Sequence, residues 1–414
     1  MRKINEKEIY ELADKLLKNP ELGYKEFKTK EILCNYLKSK GFKIENECFR
    51  TAFSVSIGKG HPHIGLIAEL DALPTLNHKY SNPLDNNAAH SCGHSSQCVI
   101  MAGAMNLLKD EKFNGKVTLF FTPSEEYTDI KFREGLIKKK EIKYIGGKIN
   151  ILDKGLFDDV DVVIHLHAMG EGDYKFSVGS DLSGFVYKKI TFKGKAAHAA
   201  VAPHMGVNAL NAYVLFNNAI NMLRETFREK DAIRIHGFIS EGGQTVNSIP
   251  ERITYECYVR SVNKDALLDV AKKVDNAAKH CANALGASCS IKTSPGYLPL
   301  KQNRRINEVI YSEMLKYVEP SEIEVNHTSM AAGDIGDISI FKPTVQFGYG
   351  GFKGIPHGKD FLVKDEHLVY IDSMKVVYDS VMKLLKNPEL VNSISKDYKP
   401  IMSKKEYKNY IDGK

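Results

Sequence analysis

The sequence predicts an α/β fold, a sheet with helices on its faces, interrupted by an inserted α+β module. Three observations predict it. Short, largely apolar runs at Ile64–Ala68, Lys116–Phe121 and Val160–Ile164 alternate with helical stretches, the pattern of buried strands beneath covering helices. Near residue 184 the texture changes to half-exposed, alternating strands. Buried α/β sequence resumes after about 297, so the chain reads as 1–183, an insertion at 184–296, and 297–414.

Residues 5–40 carry Leu22, Phe27, Leu33 and Leu37 at roughly helical spacing, and Gly41 is a stop signal. The first apolar run is too short for a helix and leads into Glu69-Leu70-Asp71-Ala72-Leu73-Pro74. Helical composition returns at 94–109. The second run ends in Pro123-Ser124-Glu125-Glu126 and the third in His165-Leu166-His167. Three strands thus deliver acidic or imidazole groups to one edge, where open α/β sheets bind ligands. The insertion contains strands at Phe185–Phe192, Arg234–Ile239 and Arg252–Arg260, with helices at about 206–226 and 263–284. The stretch 131–150, with Lys138-Lys139-Lys140 and Gly146-Gly147, reads as a solvated excursion.

The chemistry centres on His90-Ser91-Cys92-Gly93-His94. A thiolate and an imidazole separated by a glycine can bend toward one ion, and sulfur favours zinc over magnesium or calcium. Of the adjacent glutamates Glu125 and Glu126, one can bind metal while the other serves as general base on an activated water. Asp71 can orient a ligand. His167 supplies another nitrogen; His165 points to the other side of an ideal strand and is the alternative. His357, in Gly354-Ile355-Pro356-His357-Gly358, reads either as a last ligand or as a surface turn residue.

Bulk properties narrow the function classes. A chain of 414 residues needs more than one core, and 43% hydrophobic with 26% charged residues is the balance of a folded protein. The net charge of +7 is spread along the chain, which argues for anionic small molecules or solubility over nucleic acid. No apolar run is long enough to span a bilayer, and Met1-Arg2-Lys3-Ile4-Asn5-Glu6 lacks an apolar signal core. A cytoplasmic protein that binds neither membrane nor nucleic acid is expected. Seven scattered cysteines do not form a disulfide framework. Cys34, Cys98, Cys257, Cys281 and Cys289 read as buried thiols, and Cys48 as another structural one.

Taken in order, these motifs resemble the dinuclear metallo-amidohydrolases and dipeptidases that include aminoacylase, hippurate hydrolase and auxin-conjugate hydrolases. The resemblance runs over nearly the whole chain. Asn19-Pro20-Glu21-Leu22-Gly23, Gly194–Ala200, Gly242-Gly243, Asn247-Ser248-Ile249-Pro250 and Gly333–Asp337 join the motifs above. The stretch Gly194–Arg260 is most similar to the aminobenzoyl-glutamate hydrolase and β-alanyl-lysine dipeptidase branch. The resemblance implies a zinc-peptidase-like catalytic domain, with helices on both faces of a mixed sheet and a lid and dimerisation domain inserted. It implies two divalent ions, zinc or else manganese or cobalt, on Cys92, His94, Glu126, His167 and His357. Glu125 would be the general base and Asp71 would sit beneath the metals. His198 would reach the oxyanion from the partner subunit of a homodimer, and Asn247 and Arg260 would hold the substrate carboxylate, Arg260 reading equally as a strand-surface residue. This chain departs from the pattern at Ser95, where relatives carry Asp or Asn, and in longer segments at 75–91 and between Glu126 and His167.

The expected activity is metal-dependent hydrolysis of an amide bond in a small N-acyl amino acid, dipeptide or aminobenzoyl-glutamate-like substrate. Two rivals stand beside it. Gly93-His94-Ser95-Ser96-Gln97 begins like a serine nucleophile elbow but lacks the closing glycine and a preceding strand. A non-catalytic protein could keep the metals for sensing small peptides, but retention of Glu125 beside five ligand candidates argues against that.

Overall fold

The computed structural model describes residues 4–413. Met1–Lys3, part of the N-terminal stretch read for a signal core, lie outside the described residues. The chain divides into two compact units. The first takes the chain to Asp181, Lys301–Thr328 and Asp337–Ile401; the second takes Leu182–Leu300, Ser329–Gly336 and the chain from Met402. The second unit is therefore built from three pieces, two of them outside the expected 184–296.

In chain order the principal strands of the first unit are β1 (Glu45–Cys48), β2 (Ala52–Lys59), β3 (His63–Glu69), β4 (Gly115–Thr122), β5 (Val162–Ala168) and β6 (Phe176–Val178). The second unit contributes β7 (Gly184–Lys193), β8 (Arg234–Glu241), β9 (Arg252–Ser261) and β10 (Ser288–Pro295). The first resumes with β11 (Ile323–Val325) and β12 (Thr344–Tyr349).

The first unit's sheet has eight strands in the order β1-β2-β4-β3-β5-β12-β6-β11. Its centre, β4-β3-β5-β12, is parallel, while β2 joins β4 and β6 joins β12 antiparallel. Every residue of β3 is buried, as a parallel strand covered on both faces requires. The helix pattern of 5–40 resolves into α1 (Glu6–Leu17) and α2 (Phe27–Ser39). They are separated at Asn19-Pro20, because proline disfavours helix in the residue before it. Helix α3 (His94–Leu108) buries every residue but Asn106 and shares one apolar core with α1, α2, the sheet and the helix Ser373–Leu385.

The stretch 131–150 corrects the expectation of a solvated excursion. Within it, exposure is confined to Lys131, Lys138, Lys139, Lys140, Glu141 and Lys143. Helices α4 (Ile130–Lys138) and α5 (Gly147–Asp153) bury Arg133 and Lys148 completely. Gly147 permits this: a Cβ there would stand 1.6 Å from the carbonyl oxygen of Pro123, so only glycine lets α5 start against the Pro123-Ser124 turn.

In the second unit the sheet order is β8-β9-β7-β10, antiparallel throughout. Helices α6 (Ala209–Met222) and α7 (Lys264–Ala284) cover one face around Phe192, Phe216, Ile253 and Val274. Asn208 and Asn263 cap them by accepting hydrogen bonds from first-turn amides. Seven of the eight residues of β8 are exposed, so it is an edge strand with little of the alternation its sequence suggests. All seven cysteines are free, but Cys48, Cys281 and Cys289 are half-buried rather than buried; Cys281 and Cys289 correct the reading as core thiols. Among the described residues no helix is long and apolar enough to cross a membrane.

Candidate active site

Parallel strands β3, β4, β5 and β12 end at one edge of the first unit's sheet, and each is followed by a candidate site residue. Asp71 lies two residues past β3, Glu125 and Glu126 three and four past β4, His167 at the end of β5, and His357 in the loop after β12. Cys92 and His94 arrive at the start of α3. Gly93 between them has φ 86°, and a Cβ there would meet the Ala168 side chain at 2.4 Å. A side chain at this position would push α3 away from β5, so glycine is what lets the thiol and imidazole reach His167.

Three overlapping groups bring ligand atoms within 4.8 Å of one another: Cys92 with His94 and His167, Cys92 with Glu126 and His357, and His94 with Glu125 and Glu126. Cys92 Sγ lies 3.4 Å from His167 Nε2. His357 Nε2 is 3.4 Å from Glu126 Oε1, and His94 Nε2 is 3.9 Å from Glu125 Oε2. His357 has φ 68° and is held by its amide, which donates to the Ser91 carbonyl at 2.7 Å.

Neighbouring groups aim the imidazoles. His94 Nδ1 lies 2.9 Å from the Asp71 backbone oxygen and 3.3 Å from Asp71 Oδ1, which turns Nε2 toward the glutamates. His167 Nδ1 faces the Ala168 carbonyl at 2.9 Å, leaving Nε2 for Cys92. Such hydrogen bonds fix tautomer and ring orientation in metal-binding histidines. Asp71 Oδ2 also accepts from the Glu126 amide at 2.9 Å. Asp71 thereby ties the β3 end to the β4 end.

The donor set fits divalent metal. Asp71 Oδ1, His94 Nε2 and Glu126 Oε1 are buried without a well-oriented hydrogen bond, although each has a charged neighbour at the distances above. Buried polar atoms left this way are costly unless something else satisfies them. Burial and the nearby Glu126 carboxylate push the Cys92 thiol well above its ordinary range, a bias toward the protonated thiol that a cation reverses. Burial lowers His167 to about 4, keeping it neutral and able to bind metal through nitrogen.

Beneath the candidate ligands lies a group that the motif reading missed. Glu69, 1% exposed, accepts from Gln97 Nε2 at 2.8 Å and from Lys148 Nζ. It stands 3.1 Å from His94 Nε2 and 3.3 Å from His165 Nε2. Burial alone would raise its pKa, but Lys148, His165 and His94 together hold it well below the usual carboxylate range. His165 thus faces Glu69 and Gln346, away from the Cys92 group. The signal for Glu69 was its spacing of two from Asp71 at the end of an apolar run; Lys148 carried none. Glu26, also fully buried, accepts from Thr51 Oγ1 at 2.6 Å and from the Ser124 amide at 2.9 Å. Burial and the nearby Asp71 raise it to about 8.

Arg133 donates to the Glu126 carbonyl at 2.5 Å, so α4 braces the Glu125-Glu126 turn as α5 braces Glu69. The long 75–91 loop is pinned by Thr75 Oγ1 against Ser91 Oγ at 2.6 Å and by His78 Nε2 on the Phe361 carbonyl at 2.9 Å. Ser95 and Ser96 are buried in α3. Ser96 Oγ donates to the Gly93 carbonyl at 2.6 Å and lies 2.7 Å from the Tyr349 hydroxyl, a local bond back along the helix and not the arrangement of a nucleophile.

The other three expected residues lie in the second unit. His198 is exposed, and its Nδ1 accepts from the Ala200 and Val201 amides. Asn247 is exposed and its Oδ1 accepts from Thr245 Oγ1. Arg260 lies over the rings of Phe185 and Tyr258 and donates to the Met330 carbonyl at 3.0 Å.

Residues 181–284 match the family model described as a peptidase dimerisation domain. The chain is 25% identical over 370 residues to the Xaa-Arg dipeptidase of Homo sapiens, covering 84% of this chain and 76% of that one. It is 27% identical over 343 residues to the hippurate hydrolase of Campylobacter jejuni, covering 80% and 84%. Its fold is similar to the crystal structure of a dinuclear metal-binding peptidase of the M20 family from Bacillus subtilis. The TM-score is 0.73 at 19% identity, over 92% of this chain and 98% of that one.

Proposed function

We propose, for a chain that matches the M20 amidohydrolase family, that it hydrolyses an amide bond in a small N-acyl amino acid, dipeptide or aminobenzoyl-glutamate-like substrate. The observation that carries this is the sharing of Cys92, His94 and Glu126 among three overlapping ligand groups, with Glu125 in one of them. Shared donors of this kind suit a pair of ions rather than one.

Cys92, His94, Glu126, His167 and His357 would hold two divalent ions, and the thiolate favours zinc. Bound there, the ions supply Lewis acidity and make water acidic enough to ionise near neutral pH. The chain's own residues do the rest. Glu125 takes a proton from the attacking water on its carboxylate and returns it to the nitrogen of the leaving amine. Asp71 keeps His94 in one tautomer and holds the Glu126 backbone. Burial of Cys92 and His94 keeps bulk water from both side chains. His198 is assigned to the developing oxyanion, and Asn247 and Arg260 to the substrate carboxylate. The second unit is assigned to homodimer formation. A reducing compartment such as the cytoplasm suits seven free cysteines.

The test is metal analysis of purified protein followed by turnover of N-acyl amino acids, dipeptides and aminobenzoyl-glutamate, with and without a chelator. Turnover lost on chelation and restored by zinc or manganese is expected. Turnover insensitive to chelation but stopped by a serine-directed reagent would put the chemistry at Ser95 or Ser96. Bound metal and tight ligand binding without any turnover would make the protein a sensor. Cys92→Ala is expected to lower metal content below that of the wild type and to reduce turnover in step. Elemental analysis of the purified variant checks this, and unchanged metal content removes Cys92 from the ligand set.

A further inference from the structure

Apart from the metal-ligand cluster, the first unit contains a pocket of about 700 Å³ beside Val178 and the first turn of α8 (Arg304–Met314). None of the proposed metal ligands lines it. Two cations, Lys301 and Arg304, and two anions, Asp181 and Glu308, do. Among the described residues none of these four has an ion-pair partner, although Lys301 also lies 5.7 Å from the centre of the Tyr398 ring.

A buried side chain marks the same place. Asn307 lines the pocket and is 8% exposed, and its Oδ1 is buried without a hydrogen-bond partner. A buried orphan acceptor of this kind needs a donor from elsewhere. Next to Asp181 the Ser180 hydroxyl is likewise buried and unpartnered. Asp181 itself is exposed, so its carboxylate is open to a ligand arriving from solvent.

Unpaired charges of both signs around one cavity, with a buried acceptor, match a ligand that carries both signs. We propose that this pocket binds a free α-amino acid, its carboxylate on Arg304 and Lys301 and its ammonium on Asp181 and Asn307 Oδ1. The carboxylate then lies at the positive end of α8, where the helix dipole favours it, and the ammonium supplies the donor that Asn307 lacks. The site is independent of the amide hydrolysis, although free amino acids are products such hydrolysis would release. It would let the protein sense their concentration.

Calorimetric titration of the metal-loaded protein with a panel of L-amino acids tests this. Propionate and ethylamine serve as one-charge controls for alanine, and inorganic phosphate as a plain anion. At least one amino acid is expected to bind saturably, with each one-charge control weaker by about tenfold or more. Asp181→Asn and Arg304→Gln are each expected to weaken that binding by a similar factor while kcat/KM for amide hydrolysis stays unchanged. No saturable binding, binding indifferent to both substitutions, or phosphate binding as tightly as the amino acid overturns the proposal. Loss of hydrolysis does not bear on it, because turnover is read separately.

Discussion

Replacing Glu125 with glutamine is expected to lower kcat by about 10²–10⁴-fold, the usual contribution of a positioned general acid–base group, while metal content stays at the wild-type level. Glutamine keeps the size of the side chain but cannot take up the proton. Glu125 is 7% exposed and its Oε2 is 3.9 Å from His94 Nε2, so it faces the cluster without being one of the five proposed ligands. The adjacent Glu126 differs. Its side chain faces His357, its amide donates to Asp71, and its carbonyl accepts from Arg133. Glu126→Gln is therefore expected to lose metal. Comparing kcat with metal stoichiometry for the two variants separates base from ligand. Full activity in Glu125→Gln would sink the assignment.

Lys148→Met is the second large effect. Lys148 is fully buried and Glu69 nearly so, and removing one partner of a buried pair typically costs about 3–5 kcal/mol because the other charge is left uncompensated. Glu69 would then rely on Gln97 and the two histidines, and its shift below the usual range would shrink. Because Glu69 stands against His94 Nε2, metal affinity should fall along with stability. Denaturant unfolding of Lys148→Met, Glu69→Gln and the double variant measures the coupling. The double variant is expected to recover a substantial part of the loss, since it buries no lone charge. A Lys148→Met protein that unfolds at the wild-type midpoint would show that the pair does not hold the site.

The proposed ligands and base were legible in the sequence because each lies at or just past the end of an apolar strand or beside a glycine, where a polar residue stands out. Cys92, His94, Glu125, Glu126, His167 and His357 are all of this kind, and the structure gathers them in the first unit. Lys148 and Arg133 gave no such signal. They lie in a stretch whose lysines and glycines resemble a surface loop, and their burial depends on partners outside it, Glu69 on β3 for Lys148 and the Glu126 carbonyl in the preceding turn for Arg133. Local composition cannot report such pairing. The outer limits of the second unit were missed for a related reason: Ser329–Gly336 and the chain from Met402 join it only through tertiary packing. Exposure of β8 was also hidden, because an edge strand and a half-buried strand share the same alternation.

The order of the eight-stranded sheet has a consequence for synthesis. β12 lies between β5 and β6, although about 170 residues separate its start from the end of β6. A ribosome that has just released β5 and β6 must make the two earlier pieces of the second unit, Leu182–Leu300 and Ser329–Gly336, before β12 can fill the gap. During that interval β5 presents an open parallel edge, the kind of surface that invites mispairing. The second unit, whose antiparallel sheet lies mostly in one continuous stretch, can condense meanwhile. His357 follows β12, so the last proposed ligand arrives with the closing of the sheet. Uptake of a full metal complement by nascent chains stalled at increasing lengths would therefore report when the edge is sealed.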